Sequence, residues 1–107
     1  MVVWCVCVCV CMCVMDPTTG EVMRTIGRGE GSELGQLDCP QGIALDAHGH
    51  LLVADYWNNR VMVFNASDDT PITQFETPRN PRFVFVDSDG NVIVNGGEWG
   101  NSFIMMW

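Results

Sequence analysis

The strongest constraint on the fold is a segment that recurs within the chain. Residues 81–94, PRFVFVDSDGNVIV, match residues 40–53, PQGIALDAHGHLLV, at an offset of 41 residues. In each copy an Asp opens a polar turn and a Gly closes it, between two apolar runs, which is the chemistry of a tight turn. Each copy therefore predicts a β-hairpin. The residues expected to shape the two hairpins are Pro40, Gly42, Asp46, Gly49, Asp87 and Gly90.

The pattern extends on both sides of the first copy. After it comes a polar and aromatic loop made of Asp55, Tyr56, Trp57, Asn58 and Asn59, and Arg60 leads from this loop into another apolar run. Upstream, residues 14–16 and 20–26 align with residues 63–65 and 69–75 at an offset of 49. About four short strands per period in the forties is typical of propeller blades. We expect an all-β fold of β-propeller blades, each a four-stranded antiparallel meander, in an incomplete propeller.

Residues 40–64 resemble an NHL repeat, the blade unit of a family of six-bladed propellers. They carry the pattern PxGIAxDxxGxxxVADxxNxRVxVF, and the Gly-rich segment 27–37 resembles the connector that precedes such a repeat. The second copy departs from the pattern, because Asn95-Gly96 replaces Ala54-Asp55 and Asn101 replaces Arg60. The resemblance covers about residues 12 to 107.

Four segments follow from the repeat. Residues 1–11 are interpreted as a low-complexity Cys/Val run outside the native domain, and residues 12–34 as the end of a first blade with the Gly-rich connector. Residues 35–76 are expected to form a complete blade, and residues 77–107 a partial further blade. Because blades bury their faces against one another, we interpret the chain as a piece of a larger propeller.

The first fifteen residues are wholly apolar and hold five of the six Cys at every second position from 5 to 13. They are fewer than the roughly twenty residues of a membrane-spanning helix, and a signal peptide would begin with basic residues. The alternation predicts a strand with thiols on one face, and it disfavours a thiolate metal cluster. Since the codons GTG and TGT encode Val and Cys, we favour a translated GT repeat as the origin of this run.

Residues with catalytic or metal-binding chemistry are sparse. His48 and His50 flank the turn glycine, so we expect their rings to diverge rather than bind zinc. Asp46 and Asp87 open turns, where a carboxylate caps backbone amides rather than acting as an acid or base. Asp55 and Arg60 flank one loop and are expected to pair as scaffold. We therefore predict no catalytic residue, no metal site and no cofactor in this chain.

The candidate binding residues lie on loops. Because antiparallel strands reverse direction, the loop 56–59 and the connector 27–37 should share one end of the blades. Trp and Tyr are favoured anchors of binding surfaces, and Trp99 falls on the matching loop of the next blade. The predicted binding residues are Tyr56, Trp57, Asn58, Asn59, Trp99 and Arg28. An equal alternative is that Trp57 and Trp99 only pack between blades.

The charge of the chain narrows the class of partner. Thirteen acidic and five basic residues give a net charge of −8. Nucleic-acid binding depends on Lys and Arg contacts to phosphate, so an RNA partner is disfavoured. We expect a protein or peptide partner, no membrane association, and no homo-oligomer beyond edge association of unpaired blades. The compartment is left open, with the cytoplasm preferred.

The resemblance implies a non-enzymatic NHL propeller that binds a protein or peptide, in many relatives beside a ubiquitin-ligase domain. Two alternatives stay open. One is a six-bladed propeller enzyme, either a metal-dependent lyase or a lactonase-like hydrolase. The other is an RNA-binding NHL propeller.

Overall fold

A computed structural model describes residues 2–7, 11–77, 80–96 and 101–105, and their strands form three antiparallel sheets. Sheet 1 contains β1 (Val2–Cys7), β2 (Cys11–Met15) and β3 (Val22–Ile26). Sheet 2 contains β4 (Pro40–Leu45), β5 (His50–Asp55), β6 (Arg60–Asn65) and β7 (Pro71–Glu76). Sheet 3 contains β8 (Pro81–Val86), β9 (Val92–Gly96) and β10 (Asn101–Met105). The expected all-β fold of blade-like meanders is confirmed.

Sheets 2 and 3 share one register at the predicted offset of 41. Ile43 lies opposite Val53 in sheet 2, and Val84 lies opposite Val94 in sheet 3. Register in a half-buried sheet is set by the apolar pattern, because a slip of one residue would exchange the two faces. The repeat in the sequence is therefore a repeat of strand pairing.

Sheet 1 repeats sheet 2 at the offset of 49. Val3 lies opposite Val14 in the pairing of β1 and β2, as Leu52 lies opposite Val63 in the pairing of β5 and β6. The Cys/Val run up to Cys7 thus occupies the place of the second strand of a blade. Whether residues 1–11 belong to the native domain stays a prediction.

Both faces of sheet 2 are buried, because successive residues of a strand point to opposite sides. The face that we call the front packs against sheet 1, and the other, the back, packs against sheet 3. The front core contains Leu51, Val53, Met62 and Phe64 of sheet 2 with Met12, Val14 and Ile26 of sheet 1. The back core contains Leu52, Ala54, Val61 and Val63 of sheet 2 with Val84, Val92 and Val94 of sheet 3. Each fully buried aliphatic side chain contributes about 1.5–3 kcal/mol, so these two cores hold the sheets together.

The backbones of β4 and β8 approach closely where the two sheets meet. A Cβ atom at Gly42 would lie 2.5 Å from the carbonyl oxygen of Arg82 and 3.0 Å from Cα of Phe83. Glycine at this position permits the contact, because any side chain would force the strands apart.

The connector from residue 27 to residue 38 crosses between sheets 1 and 2. Its backbone closes on itself, since the amide of Arg28 donates to the carbonyl of Gly35 at 2.7 Å and the amide of Leu37 donates to that of Gly29 at 3.1 Å. The Leu37 side chain is fully buried in the front core. By contrast, only residues 77–80 separate β7 from β8. Among the described residues, no helix has the length and apolar character needed to cross a membrane.

Candidate binding site at the loop end

We call the end of the sheets that carries residues 55–60 and 80–82 the loop end. Its buried centre is the guanidinium of Arg60, whose Nε donates to Oδ2 of Asp55 at 2.8 Å. The other guanidinium nitrogens donate to the carbonyl oxygens of Ser32, Glu33 and Gln36 and to Oε1 of Gln74, at 2.6 to 3.1 Å. A planar guanidinium with five N–H groups is suited to such a set of acceptors. Arg60 therefore binds the connector to the blade.

Asp55 completes this buried cluster from the opposite side. Its Oδ1 accepts the amide of Asp38 at 2.7 Å, and its Oδ2 also accepts Nδ2 of Asn58 at 2.9 Å. Both Asp55 and Arg60 are buried. Buried charges are tolerated when they are paired and fully hydrogen-bonded, which is the arrangement here.

The loop between β5 and β6 is held rigidly by the same cluster. Residues Tyr56–Asn58 form one turn of 3-10 helix, and Asn59 ends it in the left-handed conformation with φ of 50°. The amide of Trp57 donates to the carbonyl of Asp38 at 3.1 Å, and Nδ2 of Asn58 donates to the carbonyl of Gly31 at 2.7 Å. The loop is thus fastened to the connector on one side and to β5 on the other.

This rigid loop presents an aromatic pair. The rings of Tyr56 and Trp57 meet edge to face with centroids 4.8 Å apart, and 58% of the Trp57 surface is exposed. The guanidinium carbon of Arg82, from β8, lies 5.5 Å from the centroid of the Tyr56 ring. That distance is within the range of a cation–π contact. We call Tyr56, Trp57 and Arg82 the aromatic patch; it lies across the boundary between sheets 2 and 3.

The other predicted binding residues have different surroundings. The amide of Asn58 is engaged within the chain, and Asn59 is an exposed residue that ends the 3-10 turn. A Cβ atom at Gly35 would lie 3.0 Å from both Cδ of Arg28 and Cγ of Pro71, which places Arg28 beside the outermost strand of sheet 2. Trp99 lies outside the described residues. A binding role for each of these residues stays a prediction.

Sequence reasoning did not select Arg82 for the binding site. Arg82 lies 26 positions after Tyr56 in the chain and reaches it only because sheet 3 packs on sheet 2. The signal that was available is the repeat itself. Arg82 occupies the position of Gln41, at the start of the first strand of its sheet and next to the loop end.

At the opposite end, which we call the turn end, two Asp side chains cap equivalent turns. Oδ1 of Asp46 accepts the amides of His48 and His50 at 2.8 and 2.9 Å, and its Oδ2 lies 2.6 Å from Nδ1 of His50. Oδ1 of Asp87 accepts the amides of Asp89 and Asn91 at 2.9 and 2.8 Å. The left-handed glycines of these turns are Gly49 and Gly90, with φ of 82° and 86°.

These hydrogen bonds lower the pKa of both carboxyl groups. Partial burial raises the pKa of Asp46, but the hydrogen bonds from His50 and His48 outweigh it and hold the pKa below its usual value. For Asp87 the backbone and side-chain hydrogen bonds from Asn91 are the main cause of the lowered pKa. Hydrogen bonds to a carboxylate favour its charged form. Both groups therefore stay ionised at neutral pH.

A groove lies between these two turns, lined by Asp46, Ala47, His48, Val86, Asp87, Ser88, Asp89 and Gly90. The rings of His48 and His50 are tilted by 51° with centroids 6.4 Å apart. Within the described part of the chain, no group of three or more His, Cys, Asp or Glu residues is placed to hold a metal ion.

Comparison with known proteins agrees with this architecture. The sequence model of the NHL repeat matches residues 37–64. Protein wech of Drosophila melanogaster is 56% identical over 36 residues, which are 34% of this chain and 4% of that protein. In three dimensions the chain resembles the WD40 β-propeller domain of Doa1, with a TM-score of 0.67 and 20% identity. That likeness covers 88% of this chain and 29% of the Doa1 chain, and at this identity it concerns the fold alone.

The matched segment begins at Leu37, the buried end of the connector, and runs through β4, β5 and β6 to Phe64. It therefore includes Asp55 and Arg60 and the loop between them. Residues 37–64 form an NHL repeat, and the chain is an array of β-propeller blades built around it.

Proposed function

We propose that this chain is a non-enzymatic propeller module that binds a protein or peptide at its loop end. The observation that carries the proposal is the aromatic patch, in which the exposed Trp57 meets the Tyr56 ring edge to face and the guanidinium of Arg82 lies over the Tyr56 ring. Trp, Tyr and Arg are the residue types that contribute most to binding energy at protein interfaces.

The rigidity of the loop supports the same proposal. Hydrogen bonds fix the backbone of Trp57 and the side chain of Asn58 before any partner arrives. A surface that is already ordered loses less conformational entropy on binding. Loops held on a rigid scaffold are also where binding sites are most often found.

The experiment is selection of a displayed peptide library against the immobilised full chain, followed by affinity measurement for the enriched peptides. We expect Trp57→Ala to weaken binding by about tenfold to a hundredfold, the effect of removing an interface anchor. The matched control is Ile72→Ala, an exposed apolar residue on the outermost strand of sheet 2. It should leave the affinity unchanged.

Two results would contradict the proposal. One is a library that yields no binding peptide against the folded chain. The other is a set of enriched peptides that bind the Trp57→Ala variant as tightly as the unmodified chain, with both variants showing the same thermal unfolding.

A finer hypothesis places this module in a larger protein of the ubiquitin-ligase type. It rests on the family resemblance alone, and the matched relative is far longer than this chain. Sequencing of the full transcript tests it, because an upstream or downstream RING domain would support it and a complete message without one would contradict it.

A further inference from the structure

The loop between β5 and β6 points its three side chains in different directions. Tyr56, Trp57 and Asn58 form one turn of 3-10 helix, in which successive residues are rotated by about 120°. Tyr56 contacts Arg82 of sheet 3, and Asn58 donates to the carbonyl of Gly31 in the connector. Trp57 lies between these two contacts and is 58% exposed. A ligand on Trp57 therefore meets sheet 3 on one side and the connector on the other.

The side of Trp57 towards sheet 3 is positively charged. Arg82 is exposed, and within the part of the chain that the structure describes its guanidinium forms no ion pair. A guanidinium presents its N–H donors in a fixed fork that matches the two oxygens of a carboxylate. Because the contact with the Tyr56 ring already restricts the Arg82 side chain, pairing with a carboxylate there costs less conformational entropy.

The side of Trp57 towards the connector carries the opposite charge. Glu30 and Glu33 are exposed there, and neither forms an ion pair with another described residue. Asp38, whose carbonyl accepts the Trp57 amide, is half-buried on the same side. Since like charges repel, an acidic group of a ligand is excluded from the connector side and directed to Arg82. The charge of the loop end thus changes sign across Trp57.

We propose that the loop end binds a peptide in which an acidic residue lies within two positions of an apolar anchor. The carboxylate pairs with Arg82, and the anchor packs on Trp57. The Tyr56 ring alone separates these two contacts. An extended peptide spans such a gap, because its residues i and i+2 lie on one face about 7 Å apart. This class of peptide deepens the proposed function, on which it rests.

The same charges disfavour a nucleic acid at the loop end. Strands of nucleic acid are held by several Lys and Arg side chains along their phosphates. The aromatic patch contains one guanidinium, and the neighbouring connector carries carboxylates. A single carboxylate needs only one guanidinium, which can bind both of its oxygens. The occupant that fits this arrangement is therefore an acidic side chain of a peptide.

The first part of the test selects peptides from one displayed library on two forms of the full chain. On the unmodified chain we expect Asp or Glu to be enriched within two positions of an apolar residue. On the Arg82→Glu variant we expect Lys or Arg at that place, because the charge that selects it is reversed. Such an exchange of preference also shows that the variant is folded.

The second part is a double-mutant cycle with one peptide selected on the unmodified chain. Arg82→Gln should weaken its binding by about tenfold, the loss of one charge-assisted contact. Replacing the acidic residue of the peptide by its amide should weaken binding equally, and both changes together should cost no more than either alone. The control Arg24→Gln removes the same charge beside Asp69, away from the aromatic patch, and should leave the affinity unchanged.

The possible outcomes separate this peptide class from the proposed function. Peptides that require Trp57 but bind the Arg82→Gln variant as tightly as the unmodified chain would overturn the acidic preference and leave the proposed function standing. A library that yields no peptide would overturn both. A single-stranded uridine oligomer that displaces the selected peptide, and loses its affinity in the Arg82→Gln variant, would also overturn the assignment of this site to an acidic peptide.

Discussion

Sheets 2 and 3 share a register, a turn and a packing face, yet they differ at the loop end. In sheet 2 the second strand ends with Asp55 and the third begins with Arg60, and this buried pair holds the connector. In sheet 3 the same positions are Gly96 and Asn101. The segment that leads into each sheet differs as well: a long connector leads into sheet 2, and a short one leads into sheet 3.

This difference between sheets 2 and 3 explains the role of the buried Asp55–Arg60 pair. A Cβ atom at Gly96 would lie 2.3 Å from the carbonyl oxygen of Asn80 and 2.6 Å from Cα of Pro81. The short connection therefore brings backbone into the space that a side chain would need. In sheet 2 that space is open to the Asp55 carboxylate, which reaches the amide of Asp38 instead. The pair is needed where a long connector buries carbonyl groups, because these groups then require hydrogen-bond donors from within the fold.

The largest expected effect is that of Arg60→Ala. It removes the donors to three connector carbonyls and leaves the Asp55 carboxylate buried without its cation. Breaking one partner of a buried pair costs about 3–5 kcal/mol. We expect a loss of that size in the free energy of unfolding, measured by urea denaturation.

The control for that variant is Arg24→Ala. Arg24 pairs with Asp69 across sheets 1 and 2, but its side chain is well exposed, and exposed pairs contribute about 0–1 kcal/mol. Equal losses of unfolding free energy in the two variants would contradict the conclusion that the buried pair holds the connector in place.

The next largest effect is expected for Gly96→Ala in sheet 3. The added methyl group would collide with the backbone of Asn80 and Pro81, and overpacking of this kind costs about 1–3 kcal/mol. Hydrogen exchange should accelerate at β8 and β9. Ser88→Ala changes an exposed side chain in the turn of the same sheet and should not loosen these strands; faster exchange there in both variants would contradict the explanation.

The smallest expected effect concerns the turns capped by Asp46 and Asp87, which are equivalent in sheets 2 and 3. Because the pKa values of Asp46 and Asp87 are lowered in the folded chain, each adds stability above the usual carboxyl pKa and loses it as the pH falls through the folded value. Replacing both with Asn should flatten the acid limb of stability against pH. An unchanged acid limb in urea titrations at several pH values would show that these carboxylates contribute nothing.

The array of blades could be predicted from the sequence because the turns and apolar runs repeat at fixed offsets. The environment of Arg60 could not be predicted in the same way, since most of its acceptors are carbonyl oxygens, which leave no mark on the sequence. The close approach at Gly96 was hidden for a similar reason, because its neighbours are backbone atoms. Arg82 was missed since its contact with Tyr56 depends on how two sheets pack, which local patterns do not encode.

The most direct test of the account is NMR titration of the isotope-labelled full chain with a peptide selected on it. The account predicts that chemical shifts change at the Trp57 indole, at Tyr56 and at Arg82, while the Asp46 and Asp87 turns at the opposite end stay unchanged. Shifts confined to the groove between those two turns, with the Trp57 indole unperturbed, would contradict it.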